Sequence, residues 1–579
     1  MASRDLVIIG AGLYGLSMAK TYREIHPDAD VVVLEAATSL GGTWAKDRLY
    51  PGLKTNNLLG TYESPDFPML TERYGVEPGQ HIPGKVIHDY LRDYADHFNI
   101  YHLIEFNTKV NLVEKQPGCT SWVLATAVKS SSGEDCETKT IVARKLVIAV
   151  GLTGNPNMPQ FEGSDSFNAP LFHTKDFLKN EEVLETSETV AVCGGAKSGW
   201  DAVYAYATSG VKVDWIMRES GRGPCWMAPP FVGPTKVWIE KLVFMRIFTW
   251  FSPCLWAYGD GYDFIRSFLH RTAFGRWLVD MFWKGLSNDV CKLNGYDKHP
   301  ETKKLVPWSD GMWSGTSLSI LNYPTDFFEL VRNGMVRVHH ADILRLSDHT
   351  VHLSRGGSLK ADALHCCTGW KHEMPMQFSP ASLVHDLGLP DPSGLWVLPH
   401  TAAADNEILT RFPRLKHQPN VRPKRTSTKP ERSDDSASSF HLYRFMIPPQ
   451  TVNDRTIAVA GAVLSLGNPT LAQIQALWLA AYFDGALRLP ESTDEIEYSA
   501  ELYARFGKWR SPAGYGDKHG DLVFETLPYY DELLRDLGLR FKRKGNWLKE
   551  AVAAYGPADY TGLVQEWLDS NRPTNGFHT

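Results

Sequence analysis

A glycine-rich turn of the dinucleotide-binding type occurs twice in this chain of 579 residues, and nothing else in it constrains the fold as tightly. The first, Gly10-Ala11-Gly12-Leu13-Tyr14-Gly15, directly follows the apolar run Leu6-Val7-Ile8-Ile9. The second, Gly194-Gly195-Ala196-Lys197-Ser198-Gly199, follows Thr189-Val190-Ala191-Val192-Cys193. A single such turn leaves many jobs open. Two of them predict an α/β fold with two Rossmann-like units, and electrons passing between two bound cofactors.

The surroundings of the first turn fit as well as its glycines. An uninterrupted apolar run reads as a buried parallel strand. Gly10 makes the tight turn, Gly12 lets the backbone approach a pyrophosphate, and Gly15 lets the next helix, over residues 16–24, sit close to the sheet. The pyrophosphate then rests on that helix's N-terminus, where free amides favour an anion. A second strand, Val31-Val32-Val33-Leu34, ends in Glu35. Its carboxylate accepts hydrogen bonds from ribose hydroxyls and repels a 2′-phosphate, so FAD or NAD is expected here in preference to NADP.

The second turn differs at the end of its next strand. Residues 211–217 lead into Arg218, whose forked donors can grip a 2′-phosphate. Lys197 and Arg222 add positive charge. Ala196 stands where the motif has its middle glycine, and its methyl limits the approach to the pyrophosphate. NADP is the expected occupant, held by Gly194, Lys197, Ser198, Gly199 and Arg218.

Composition sets the bounds. A hydrophobic fraction of 43% in a chain this long supports two or three packed domains. The net charge of −6 gives no electrostatic case for nucleic acid or an anionic membrane. The first strand starts near residue 5, so no signal peptide is expected, and no apolar stretch has the length of a clean membrane span. The eight cysteines are scattered, without the Cys-x-x-Cys pair of a disulfide reductase or the spacing of a zinc site. Adjacent Cys366 and Cys367 end an apolar segment and read as core residues. A cytoplasmic protein without a metal is the expectation.

The flavin domain is expected in two pieces, 1–187 and 369–490, with the NADP domain inserted over 188–368. A helix near 86–98, a strand over 145–150 and a last central strand at 456–460 belong to the flavin domain. A helix over 471–483 then turns its N-terminus to the flavin. An aromatic-rich helical insert covers about 230–324 and contains Trp238, Phe244, Phe248, Trp250, Phe251, Trp256 and Tyr258, with Pro253 breaking it. Glu240, Lys241 and Arg246 interrupt its apolar run and argue against a bilayer span. A pocket-lining helix, a membrane-surface helix and a partner surface all stay open. Residues 414–439 are poor in apolar side chains and rich in Arg, Lys, Pro and Ser, which predicts a disordered loop with Lys424-Arg425 as a solvated cluster. A helical tail over 491–579 ends the chain.

Between the two turns stands Gly41-Gly42-Thr43-Trp44, followed by a stretch from Tyr50 through Leu53 and Asn56 to Asp66-Phe67-Pro68. Phe167-x-Ala169-x-x-x-His173-Thr174-x-x-Phe177 precedes the second turn, and Thr368-Gly369-Trp370 marks the return from it. In these motifs the chain resembles the class B flavin-dependent monooxygenases, that is, the flavin-containing monooxygenases and their Baeyer–Villiger relatives. Lys197-Ser198-Gly199-Trp200-Asp201 looks most like the fungal biosynthetic members. Ala169 departs from the usual glycine, and Phe177-Leu178 from the Baeyer–Villiger Trp followed by Pro or Asp, while His173-Thr174 is kept.

The resemblance implies that NADPH reduces FAD, that O2 then forms a flavin hydroperoxide, and that a small, apolar substrate takes one oxygen atom from it. Secondary-metabolite biosynthesis is the implied setting, with heteroatom oxygenation ahead of ketone insertion. No protein nucleophile is needed. Gly42, Thr43 and Trp44 are implied to bind flavin, and Asn56 becomes the candidate catalytic side chain, its amide donating to a peroxide oxygen. Capping of its own turn, Lys54-Thr55-Asn56-Asn57, is the competing role. A non-oxygenating NADPH flavoprotein and an NADPH-sensing binding protein are the other classes open to the sequence.

Overall fold

Uninterrupted apolar runs become the central parallel strands of two sheets. The computed structural model describes residues 3–571 apart from 117, 119, 130–134, 234–235, 392–397 and 420–438. In the first unit β1 (Ser3–Ile9) runs into α1 (Leu13–Ile25) and β2 (Val31–Leu34). Next, β3 (Lys54–Leu58) leaves the sheet and pairs with the short strand His81–Pro83. The long β4 (Asp135–Ile148) returns parallel to β1, so that β1 lies between β2 and β4 with Leu6, Val7 and Ile8 fully buried.

The second sheet is parallel throughout. It contains β5 (Leu171–His173), β6 (Thr189–Cys193), β7 (Lys212–Met217), β8 (Val336–His340) and β9 (Ala363–Cys366), in the spatial order β5-β9-β6-β7-β8. The helix after the second turn is α2 (Lys197–Thr208). Much later in the chain, β10 (Ile457–Val459) comes back to the first sheet and sets Ile457 opposite Leu146 of β4. Two distant stretches of sequence thus share one eight-stranded sheet.

Between β7 and β8 of the second sheet lies a largely helical insert. It leaves through Trp226–Ala228 and returns through Leu318–Ile320, which pair as a parallel ribbon. Short helices Ile239–Val243 and Arg246–Thr249 stop ahead of Pro253, and α3 (Asp263–Arg271) and α4 (Ala273–Asn294) follow. The C-terminal region supplies α5 (Asn468–Phe483), α6 (Thr493–Arg510), α7 (Thr526–Asp536), α8 (Trp547–Val552) and α9 (Leu563–Asn571).

Insert and C-terminal helices form one layer. Buried Arg246 pairs with Asp531 of α7, and Arg510 of α6 donates at 2.8 Å to both Glu525 and Ser252. The Trp256 ring meets those of Tyr503 and Phe506. Each of these buried charges has a partner, as burial requires.

The first residues of the loop expected over 414–439 are ordered. Leu415 is fully buried in a turn over Pro413–Lys416, Arg414 binds Asp280 at 2.7 Å, and the Gln418 amide donates to the carbonyls of Lys508 and Trp509. One apolar anchor and two polar contacts order the start of the segment. Residues 420–438, with Lys424 and Arg425, lie outside the described residues. Among the described residues no helix is long and apolar enough to cross a membrane.

Candidate active site

The first turn opens a cleft of about 540 Å³. Gly10 has a φ of 108°, and a Cβ on Gly15 would run into the Gly10 carbonyl oxygen. Both glycines are therefore required by geometry. Gly12 faces Gly42 across the cleft wall, and side chains on both would narrow the approach to the backbone amides. No side chain caps the N-terminus of α1, so its first amides remain available to an anion. Glu35 accepts from the amides of Ala11 at 2.7 Å and Ala37 at 2.8 Å, which fixes its carboxylate at the cleft edge.

Along the cleft, the Thr43 hydroxyl meets that of Thr153 at 2.9 Å, and the Trp44 indole N–H donates to Tyr62 at 3.3 Å. At the far end lie Tyr14, Gly461 and Asn468, the last opening α5, whose N-terminus also carries no side-chain cap. Tyr14 donates to Asn468 at 3.1 Å. The cleft thus offers a carboxylate at one end, an uncapped helix N-terminus in the middle and another at the far end. A flavin adenine dinucleotide fits that order: ribose, pyrophosphate, then the polar edge of the ring.

At the second turn Gly194 has a φ of 129°, and a Cβ on Gly199 would run into its carbonyl oxygen. The N-terminus of α2 is uncapped, and Ser198 stands in its first turn. Of the three cations read near this turn, two are committed elsewhere. Lys197 pairs with Asp201 and reaches Asn322 at 3.0 Å and the Tyr323 hydroxyl at 3.3 Å. Arg222 pairs with Asp517 at 3.3 Å. Arg218 is exposed just past β7, and among the described residues no carboxylate pairs with it, while neighbouring Glu219 is taken by Arg355.

Strand β3 joins these two seats. Asn56 is partly exposed, and its Oδ1 accepts from the Ser319 hydroxyl at 2.9 Å, from the ribbon that closes the insert. It stands outside the residues that line the cleft. Within its own turn the capping bond belongs to Thr55, whose hydroxyl donates to the Asn57 carbonyl at 2.6 Å. Asn322 donates to the carbonyls of Lys54 and Thr55 at 3.2 and 3.1 Å. Successive strand residues point to opposite faces, so Asn57 turns away from Ser319. Its amide donates to Glu240 and, at 2.9 Å, to the Leu466 carbonyl just before α5.

Glu240 was not among the sequence candidates. It is fully buried and accepts from Asn57, from the Leu58 amide at 2.9 Å and from the Thr61 hydroxyl at 3.0 Å. Burial pushes its carboxyl up to about 7, against the pull of those three donors. Asn322, Asn57 and Asn468 were missed too, and none carries a local motif. A carboxylate inside an aromatic run was the one available signal.

Other motif residues brace the frame. His173 is buried with both ring nitrogens engaged, one on the Gly369 carbonyl at 2.9 Å and one accepting from the Lys175 amide at 3.1 Å. Burial lowers its pKa. Asp66 binds Lys20, Gln473 and the Gly562 amide, each at 2.8 Å. Tyr50 and Tyr323 donate to Asp201 at 3.0 and 2.9 Å, which ties the first unit to α2. Cys366 and Cys367 are buried, and burial raises both thiols.

A family model described as pyridine nucleotide-disulphide oxidoreductase matches residues 7–229, a span that contains both turns. The chain is 33% identical to an FAD-dependent monooxygenase of Aspergillus sclerotiorum, over 97% of this chain and 98% of that one. It is 33% identical to an FAD-dependent monooxygenase of Pyrenophora dematioidea, over 94% of this chain and 100% of the other. Among solved structures, closed cyclohexanone monooxygenase matches with a TM-score of 0.58 at 16% identity, over 93% of this chain and 98% of that one. The S-allyl-L-cysteine S-oxygenase of Allium sativum matches with a TM-score of 0.52 at 16% identity, over 93% and 89%. These two structures share the fold.

Proposed function

The chain belongs to the FAD-dependent monooxygenases, and we propose that within this family it uses NADPH and O2 to place one oxygen atom on a small, apolar molecule of secondary metabolism. The observation that carries the cofactor reading is the contrast between Glu35 and Arg218. A carboxylate fixed at the first seat suits FAD, and a guanidinium without a carboxylate partner among the described residues suits a 2′-phosphate at the second. Bound FAD supplies the oxygen activation. What remains for the protein is to bind, orient and exclude water.

The residues divide that work. The amides that open α2 take the NADPH pyrophosphate, and Arg218 takes its 2′-phosphate. Glu240 and Asn322 hold β3 from two sides, and β3 presents Asn56. Because Ser319 occupies the Asn56 carbonyl oxygen, the amide N–H groups of that side chain are left to donate toward the reacting oxygen. Oxygenation of a nucleophilic nitrogen or sulfur fits this arrangement, since it requires no nucleophile from the protein.

The test is Asn56→Ala with no organic substrate present. Flavin reduction by NADPH, followed without oxygen, should stay near normal, because hydride transfer does not use that amide; in air, NADPH consumption should rise one for one with peroxide. Hydrogen peroxide release should accelerate roughly ten- to a hundredfold, since a hydrogen bond lost in a water-poor site is worth roughly 1–3 kcal/mol. Unchanged peroxide release in a folded, FAD-loaded variant would remove Asn56 from the chemistry.

A further inference from the structure

The insert has two faces of opposite character. Its inner face is packed: Leu269, Val279 and Trp283 are buried, and Glu240 is sealed against β3. Its outer face is bare. Phe264 is 84% exposed, Phe274 60% and Trp277 53%, with Phe268 and Met281 beside them on α3 and α4. The ring centroids of Phe268 and Phe274 lie 6.3 Å apart, and those of Phe274 and Trp277 lie 5.5 Å apart and stacked. Tyr262 donates to the Trp547 carbonyl at 3.2 Å, which brings α8 to the same side. There Trp547 is 76% exposed, and Leu548 and Val552 are exposed with it. An aromatic surface this continuous marks an interaction site.

Cations flank these rings in sequence. Arg271, Lys284, Arg540, Lys542 and Lys549 are exposed, and among the described residues none pairs with a carboxylate. Arg543 and Lys544, in the same run, are spent on Glu566 and Asp559. The whole-chain charge of −6 averages this local excess away. A second copy of this chain docked face to face would bring like charges together. An anionic surface would meet them with opposite charge.

We propose that this outer face of α3, α4 and α8 docks on the surface of an anionic phospholipid bilayer. Aromatic side chains suit the boundary between headgroups and acyl chains, and flanking lysines and arginines suit acidic headgroups. The protein lies on the bilayer; no described helix is built to cross it.

Flotation of the FAD-loaded, full-length protein with vesicles tests this. It should rise with phosphatidylcholine vesicles containing phosphatidylserine, and much less with phosphatidylcholine alone or at high salt. Lys542→Glu with Lys549→Glu should weaken binding on the order of tenfold or more, at about fivefold per charge. Trp277→Glu with Trp547→Glu should abolish it while FAD content stays unchanged. Should that pair lose FAD, Phe264→Ser, at the most exposed ring, repeats the test with a milder change and should weaken binding severalfold. Failure of the natural protein to float with phosphatidylserine vesicles overturns the proposal. So does a dimer in sedimentation that Trp277→Glu dissociates, because the face would then belong to a second copy.

Discussion

The two glycine-rich turns share a plan and differ in how much of it is already committed. At the first, Glu35 is held by two amides, Gly12 faces Gly42, and α5 returns from far along the chain to close the end of the cleft. At the second, Arg218 has no carboxylate partner among the described residues, and Lys197 spends its charge on Asp201 and its remaining donors on Asn322 and Tyr323. A seat assembled from distant parts of the chain suits a resident cofactor. A seat with one loose cation at its rim suits a co-substrate that enters and leaves.

The largest test uses the last glycine of each turn. In both, a new Cβ meets the backbone carbonyl of the turn's first glycine, an oxygen that cannot swing aside. Such overpacking costs about 1–3 kcal/mol or more when helix and strand must separate. Gly15→Ala should be isolated largely without FAD. Gly199→Ala should keep its FAD and lose most NADPH-dependent reduction. Visible absorbance and reduction rate read the two outcomes. Loss of FAD from both variants would break the comparison, because the seats would then stand or fall together.

Next in size is the contrast in charge. Arg218→Ala should weaken NADPH roughly ten- to a hundredfold, the scale of a charge-assisted bond, and leave NADH almost unchanged. Titrating both nucleotides against flavin reduction measures this. Equal use of NADPH and NADH by the natural enzyme would contradict the assignment of Arg218.

Local features were legible, and long-range pairings were not. Val31–Leu34 and Thr189–Cys193 form strands at the bounds read from sequence, since an apolar run ending at a turn declares itself. Glu240 and Asn57 lie 183 residues apart, and no pattern in either stretch announces the other. Glu240 and Arg246 read as interruptions of an apolar run. Their partners, at Asn57 and Asp531, make them its polar core. The same run hid the division between packed inner rings and bare outer ones, because periodicity is lost where short helices break at Thr249. Lys197 is a different case. Asp201 is one helical turn away, so its neutralisation was readable from the spacing.

The smallest effect concerns how the flavin half is braced from outside its own sheet. Glu240 belongs to the insert, yet it holds β3, and the NADPH half has no equivalent buried carboxyl among the described residues of the second turn. The neighbouring cation Lys241 lies over the Trp238 ring at 3.9 Å and pulls the carboxyl down less than its three donors do. Burial therefore dominates and raises the carboxyl from an ordinary 4.5 to about 7. A carboxyl with a raised pKa binds its proton more tightly in the folded protein than in the unfolded chain. Stability from this group is then greatest below the unfolded value and falls as pH rises toward the folded one. Glu240→Gln has no proton to lose. It forfeits one acceptor at every pH, a constant offset of about 1 kcal/mol, but the slope should vanish. From about pH 5 to about pH 8 the natural protein should lose about 1–3 kcal/mol relative to the variant, with no further change above that range. Thermal melts with FAD release as the signal would show the two curves shifting against each other with pH, while NADPH affinity stays the same in both. Curves that run parallel across that range would mean that Glu240 stays ionised throughout, with its three donors outweighing its burial.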